Sequence, residues 1–397
     1  MDKIFKENLK MIISSYKSNI KKRKDIIIVS PVGDIKDLKN FEKYLKKEGI
    51  DKLADLLFVY KYNLDFISHK INSICVKEKI PLGTSGAFFL AAYLGYLLDY
   101  KVIVVSDINA YIDSKKSFIE CLNLALKEKK VIFPIVSALG DISPKNISSY
   151  NVNGFAFYPR EIFNFIGFYT PYFFRGGEDF EFLERIKKEN LLEVKDDVYV
   201  YHQRAGYSIF HKLNAKRKFY PYVEGLMKAH IFLTSNYFKY NLFFLIWYLH
   251  YSFFADVFSD SDLKKTINLV KDFSLFIPKE NNNEWFEIKQ IYQKANYPKT
   301  WLERFLITLK MILSLILTKK AVIYTDEVIL KKSRINFILG LLKASLFIPF
   351  NLIKGVFDLF QAKKNAKKFP YPVKPENAPE AIKAYIQLIK ENLENIK

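Results

Sequence analysis

The sequence predicts an α/β domain, built on a mostly parallel sheet with crossover helices, followed by a mostly α-helical region. Three observations carry this. From 25 to 204, short β-branched and aliphatic runs alternate with stretches of helical periodicity, the pattern of successive strand-helix-strand units. Beyond 205 the strand signals fade and long apolar stretches carrying lysines take over. Half of the 397 residues are apolar, enough for a sizeable core.

In chain order, a basic amphipathic helix is expected over 1–24, where Ile12, Ile13 and Ile20 lie among lysines and arginines. That stretch has neither the unbroken apolar segment nor the small-residue cleavage site of a secretory signal, so the protein is expected on the cytoplasmic side. Strands are expected at 25–30, 56–60, 102–106, 131–136, 152–158 and 198–202. Helices are expected at 36–47, 85–98, 114–129 and 178–190, where apolar residues recur at helical spacing. The sheet domain thus covers 25–204. A basic connecting segment, 205–235, leads to a helical region at 236–370. A proline-punctuated linker and one charged helix follow at 371–397.

The formal net charge is +20, which favours a polyanionic neighbour. The 36 Phe and 26 Tyr, many of them in the second half beside aliphatic runs, point to a membrane surface rather than nucleic acid. A nucleic-acid binder is the weakest reading, since no helix-turn-helix, zinc-finger or RNA-recognition signature is present. Cys75 and Cys121 are too few and too far apart for a disulfide framework or a thiolate metal site.

Chemistry-bearing residues occur at three places. An apolar run ends in Ser106-Asp107-Ile108-Asn109, placing Asp107 and Asn109 just beyond a buried strand, where open α/β sheets bind ligands. Oxygen donors there suit Mg²⁺ or Mn²⁺ bridging to a diphosphate; the alternative is a turn that caps the next helix. Second, Gly176-Gly177-Glu178-Asp179 opens a helix with adjacent acids, either a capped helix start or a carboxylate set to act as a general base. Third, His202 ends the strand-like run of Val198 to Tyr201, as a core histidine or a ligand.

Taken in order with Asn153-Gly154-Phe155 and Ile166-Gly167-Phe168, these elements resemble the family-2 inverting glycosyltransferases of the GT-A fold, rhamnosyl- and galactofuranosyltransferase-like, over residues 25–222. The resemblance implies a metal-assisted hexosyltransferase using a UDP-, GDP- or dTDP-linked sugar. It implies that Asp107, Asn109 and His202 hold Mn²⁺ or Mg²⁺, that Asp179 is the base, and that Glu178 positions the acceptor or the sugar. Donor-binding residues would be Ser30, Pro31 and Val32, Gly83, Ser85 and Gly86, and Ser106; acceptor-binding residues would be Arg175, Gly176 and Gly177. The family's acidic Asp-Asp-Gly-Ser element after the second strand is replaced by Lys61-Tyr62-Asn63.

In the second half, Asn336, Lys343, Asn351, Lys354, Asp358 and Gln361 share one face of a helical wheel that is otherwise apolar. Such a helix suits the headgroup region of an anionic membrane, with Lys343, Lys354, Lys363 and Lys364 reaching lipid phosphates; a packed core helix, or a membrane span at 241–254 or at 335–360 kinked by Pro349, is the alternative. Lys216 and Arg217 lie in a basic segment that resembles the one after the catalytic domain in rhamnosyltransferase-like members, which implies a lipid-carried diphosphate; a plain basic linker is the alternative. The expected protein is therefore peripheral on the cytoplasmic face and acts on a lipid-linked or membrane-surface glycan. A catalytically inactive membrane-attached scaffold is the alternative.

Overall fold

The computed structural model describes residues 9–33, 35–60, 71–138, 153–173, 177–202, 320–323, 326–329 and 334–394. Its centre is a nine-stranded mixed sheet of order β1-β4-β3-β2-β5-β8-β7-β9-β6. The strands are β1 (Ile13–Ser18), β2 (Ile26–Val32), β3 (Asp55–Tyr60), β4 (Ser73–Glu78), β5 (Val102–Val105), β6 (Ala110–Ile112), β7 (Val131–Ala138), β8 (Ala156–Pro159) and β9 (Leu192–His202). Pairings β4-β3, β3-β2, β2-β5 and β7-β9 are parallel; β1-β4, β5-β8, β8-β7 and β9-β6 are antiparallel. This is the expected α/β class.

The central strands are buried on both faces, as the unbroken apolar runs of β3 and β5 require. Their alternating side chains feed two cores. One holds Ile28, Leu56, Phe58 and Val104 and is covered by α1 (Ile35–Glu48) and α3 (Lys115–Glu128). Leu38, Phe41 and Leu45 of α1 and Phe118, Cys121, Leu122 and Ala125 of α3 recur at helical spacing and are buried, so each helix presents one apolar stripe. Ser114 starts α3 by accepting the Ser117 amide at 3.1 Å.

The opposite core holds Ile27, Val29, Leu57, Val59 and Ile103 under α2 (Gly83–Leu97), α4 (Ile162–Ile166) and α5 (Glu178–Lys188). Helix α2 is apolar nearly all round, and an apolar helix needs cover on its outer side too. That cover comes from α7 (Ala378–Glu394), whose Ala381, Ile382, Tyr385 and Ile389 are buried in the same core. The described part of the segment read from sequence as a linker and a helix, 371–394, is thus a layer of the sheet domain. Gly86 is what permits the contact: a Cβ there would lie 2.7 Å from Tyr385 Oη.

Some expectations are corrected. The N-terminal stretch is helical only over the described residues 9–12 and then becomes β1. Ser14, Ser15 and Tyr16 are modest helix formers, and the open edge of β4 offers ladder partners, taken in the register Tyr16↔Val76 and Ser18↔Ile74. Strands β4 and β6 were not anticipated. The helical region contains a hairpin, β10 (Lys320–Ile323) with β11 (Asp326–Ile329), ahead of α6 (Arg334–Ala366). No described helix is long and apolar enough to cross a membrane.

The buried thiols give this core a pH signature. Burial pushes Cys75 up to about 11 and Cys121 up to about 12, against an ordinary value near 9.0. The folded chain keeps these protons after the unfolded chain has released them. Their contribution is therefore fully present below pH 9 and is lost as pH rises towards 11. The urea midpoint is expected to fall between pH 8.5 and 10.5, and to fall less in Cys75→Val/Cys121→Val, at roughly these unfolded-state thiol pKa values. An equal fall in both proteins would exclude the thiols as the cause.

Candidate functional site

Strands β2, β3, β4, β5, β7 and β9 all end at one edge of the sheet. From β2 the chain steps outward to β3 and β4, then returns to β5 on the other side of β2. The β2/β5 junction is therefore a switch point, the place where open α/β sheets leave a crevice beyond their strand ends. Ser30, Pro31 and Val32 border it from β2, and Ser106, Asp107 and Asn109 border it from β5.

The Asp107 turn is tied down at its backbone. Ser106 donates its amide to Val29 O at 3.1 Å, Asp107 to Asn153 O at 2.7 Å, and Ala110 to Asp107 O at 3.1 Å. Ile108 is buried, while Asp107 and Asn109 on either side of it are partly exposed. Strand β6 then pairs antiparallel with β9 so that Ala110 lies opposite His202. At the level of the backbone, Asp107, Asn109 and His202 thus come to one end of the sheet from sequence positions far apart. Two buried oxygens beside the crevice, Ser30 Oγ and Asn153 Oδ1, have no hydrogen-bond partner among the described residues. Such atoms mark where a ligand or water completes a site. Phe155, at the foot of β8, holds φ 53°, a left-handed conformation that a non-glycine residue adopts only under local constraint.

The other wall is the start of α5. Gly177 takes φ 89°, which turns the chain into the helix and leaves Glu178 buried and Asp179 partly exposed. Asp179 Oδ1 accepts the Phe180 amide at 2.8 Å. Behind this turn, Glu181 and Arg185 form a buried ion pair. Arg185 also donates to Phe168 O at 2.7 Å and to Ile166 O, and Glu181 accepts from Thr170 Oγ1 at 2.9 Å. Burial works against the Arg185 charge, but the Glu181 carboxylate beside it outweighs burial, and the guanidinium holds its proton more tightly than usual.

Tyr169 is buried, and its hydroxyl is pushed well above the ordinary phenol range, first by burial, then by Tyr158, and further by the carboxylates of Asp107 and Asp179. Sequence reasoning missed Tyr169 and the partner role of Asn153, which lie in an aromatic-rich stretch where neither stands out.

Other expected site residues fall elsewhere. Ser85 donates to Pro171 O at 3.2 Å and Gly86 faces Tyr385, so both are turned into the core rather than towards a nucleotide. Gly83, with φ 64°, starts α2. Arg175, Gly176, Lys216, Arg217 and the Lys61-Tyr62-Asn63 stretch lie outside the described residues. No group of three or more His, Cys, Asp or Glu suited to a metal ion forms among the described residues.

No family model and no curated protein matches the sequence. Among solved structures, GalNAc-T7 with UDP, GalNAc and Mn²⁺ is 14% identical with a TM-score of 0.36, over 45% of this chain and 42% of that one. S. aureus TarS 1–349 is 11% identical with a TM-score of 0.37, over 81% of this chain and 90% of that one. The complex of TarS 1–349 with UDP-GlcNAc is 12% identical with a TM-score of 0.34, over 69% and 93%. Likeness of this size assigns no family.

The buried ion pair supplies a stability test. Arg185→Leu leaves Glu181 without its countercharge and is expected to cost about 3–5 kcal/mol in urea unfolding, much of it recovered in Glu181→Met/Arg185→Leu. A loss below about 1 kcal/mol, the scale of an exposed pair, would contradict the pair's importance.

Proposed function

We propose that this protein is an inverting glycosyltransferase of the GT-A type, moving a sugar from a nucleotide diphosphate to a lipid-linked or membrane-surface glycan. The observation that carries the reading is the switch-point crevice itself: Asp107 stands at its strand-end turn beside the unpartnered Ser30 Oγ and Asn153 Oδ1, and Asp179 is partly exposed at the glycine-led start of α5. One acid there belongs to a strand-end turn suited to a diphosphate, the other to a helix start suited to an acceptor.

In this reading Ser30, Pro31 and Val32 line the nucleobase side, and Ser106 and Asp107 the diphosphate. Asp107, Asn109 and His202 would hold Mn²⁺ or Mg²⁺, which when bound neutralises charge on the leaving diphosphate. A sparse protein ligand set fits such an ion, since Mg²⁺ is commonly held by one or two carboxylates together with substrate phosphates and water. Asp179 accepts the acceptor hydroxyl proton as that oxygen bonds to the anomeric carbon. The bond from that carbon to the diphosphate oxygen breaks, its electron pair leaves with the diphosphate, and the anomeric configuration inverts. Glu178 orients the acceptor.

The membrane part of the reading is supported by α6. Of its described side chains, Leu346 is 80% exposed, Ile353 71% and Phe357 67%, far more apolar surface than a solvent-facing helix ordinarily shows. Lys343, Lys364, Lys367 and Lys368 are exposed close by. Such a helix lies in the headgroup region, its apolar side chains entering the acyl boundary and its lysines meeting anionic phosphates.

Transfer from a panel of UDP-, GDP- and dTDP-sugars, with Mn²⁺ or with a chelator, tests the chemistry. Asp179→Asn is expected to lower turnover by about 10²- to 10⁴-fold while retaining donor binding. Equal turnover in the two proteins would remove Asp179 from the role of base, and absence of turnover with every donor would favour the inactive scaffold.

Flotation tests the membrane. The chain is expected to rise with phosphatidylglycerol vesicles and less with phosphatidylcholine vesicles, and Leu346→Glu/Ile353→Glu to remain at the bottom of the gradient. Failure of the wild type to float with either would exclude the attachment.

A further inference from the structure

The segment at 369–394 does more than cover α2. Tyr371 donates its hydroxyl to Glu181 Oε1 at 2.8 Å, from 190 residues away in sequence. Phe168 donates its amide to Val373 O at 2.6 Å, and Tyr385 donates to Leu82 O. The Phe369 ring lies 4.5 Å from that of Tyr172. Leu82 immediately precedes the start of α2, and Glu181 lies one turn into α5. The segment therefore grips, by separate hydroxyls, the residue before α2 and the first turn of α5.

These contacts divide into packing and placement. Val373, Ala378, Ala381, Ile382 and Ile389 are buried in the core and hold the segment by apolar contact. Glu181 already has Arg185 and Thr170, so its charge does not depend on Tyr371. What the Tyr371 hydroxyl adds is a directional link to a charged acceptor, stronger than a neutral hydrogen bond and made to the first two turns of α5. Burial first, and Glu181 next, push the Tyr371 hydroxyl above the ordinary phenol range, so it stays a donor.

We propose that Tyr371 is a positioning residue for Glu178 and Asp179: through Glu181 it fixes the start of α5, so that the crevice is complete only with the 369–394 segment docked. The catalytic part of this inference rests on the transferase reading above; the placement of α5 does not. A shift of about 1 Å in a reacting group can cost a hundredfold in rate, so one hydrogen bond at this turn has leverage on the chemistry.

The test is Tyr371→Phe in the full chain, which keeps the ring and removes the hydroxyl, with Lys390→Ala on the exposed face of α7 as control. Hydrogen exchange is expected to quicken about tenfold in peptides covering 177–188 and to stay unchanged across β2 to β5, the tenfold corresponding to loss of one such bond. With an active donor, kcat is expected to fall roughly tenfold or more, while the donor KM moves by less than about twofold. Unchanged exchange at 177–188 overturns the inference, and so does faster exchange spread over the whole sheet, which would mark plain destabilisation. Unchanged kcat with faster local exchange would overturn the role towards Asp179. If the wild type turns over no donor, the transferase reading fails, while the exchange result still decides whether Tyr371 places α5.

Discussion

A sheet whose central strands are buried on both faces has to be covered twice, and this requirement organises the molecule. On the α1 and α3 side the cover is one layer of amphipathic helices, each with a polar face left for solvent. On the other side α2 has no polar face to spare, because Phe88, Phe89, Leu90, Tyr93 and Leu94 are all buried. A further layer is needed, and α7 supplies it. Gly86 allows the approach, and Tyr385 both fills the gap and satisfies the carbonyl of Leu82.

That packing has a chemical consequence. The chain leading into α7 passes behind α5, where Glu181 and Arg185 bury an ion pair that would be costly without further partners. Thr170, the carbonyls of Ile166 and Phe168, and Tyr371 provide them. The network leaves the first turn of α5 facing the crevice with Asp179 partly exposed. A polar cluster deep in an aromatic core thus places a carboxylate at its surface.

The legible parts of the fold were those with a local signal. The cores of β2, β3 and β5 are unbroken apolar runs, and α1 and α3 carry apolar residues at regular helical spacing, so their existence could be read directly. Strand β6 has only three residues, too few for any period, and β1 is a strand because an open edge received it. Asp107 could be picked out because an acid follows an apolar strand, and Asp179 because glycines and acids open a helix. Ser85 and Gly86 were expected at the nucleotide from the family resemblance, yet Ser85 bonds to Pro171 O and Gly86 packs against Tyr385 of α7.

By itself the sequence determined that β2, β3 and β5 are strands with buried cores, where their chain ends fall, and that Asp107 stands beyond one of those ends, because these are properties of neighbouring residues. Only the tertiary structure decided that the Asp107 turn is tied to Asn153, that Ala110 lies opposite His202, and that Tyr371 reaches Glu181. Those meetings depend on strand order and on which apolar surfaces are left to cover. Neither is encoded in spacing along the chain, and both are settled when distant segments compete to bury the same face.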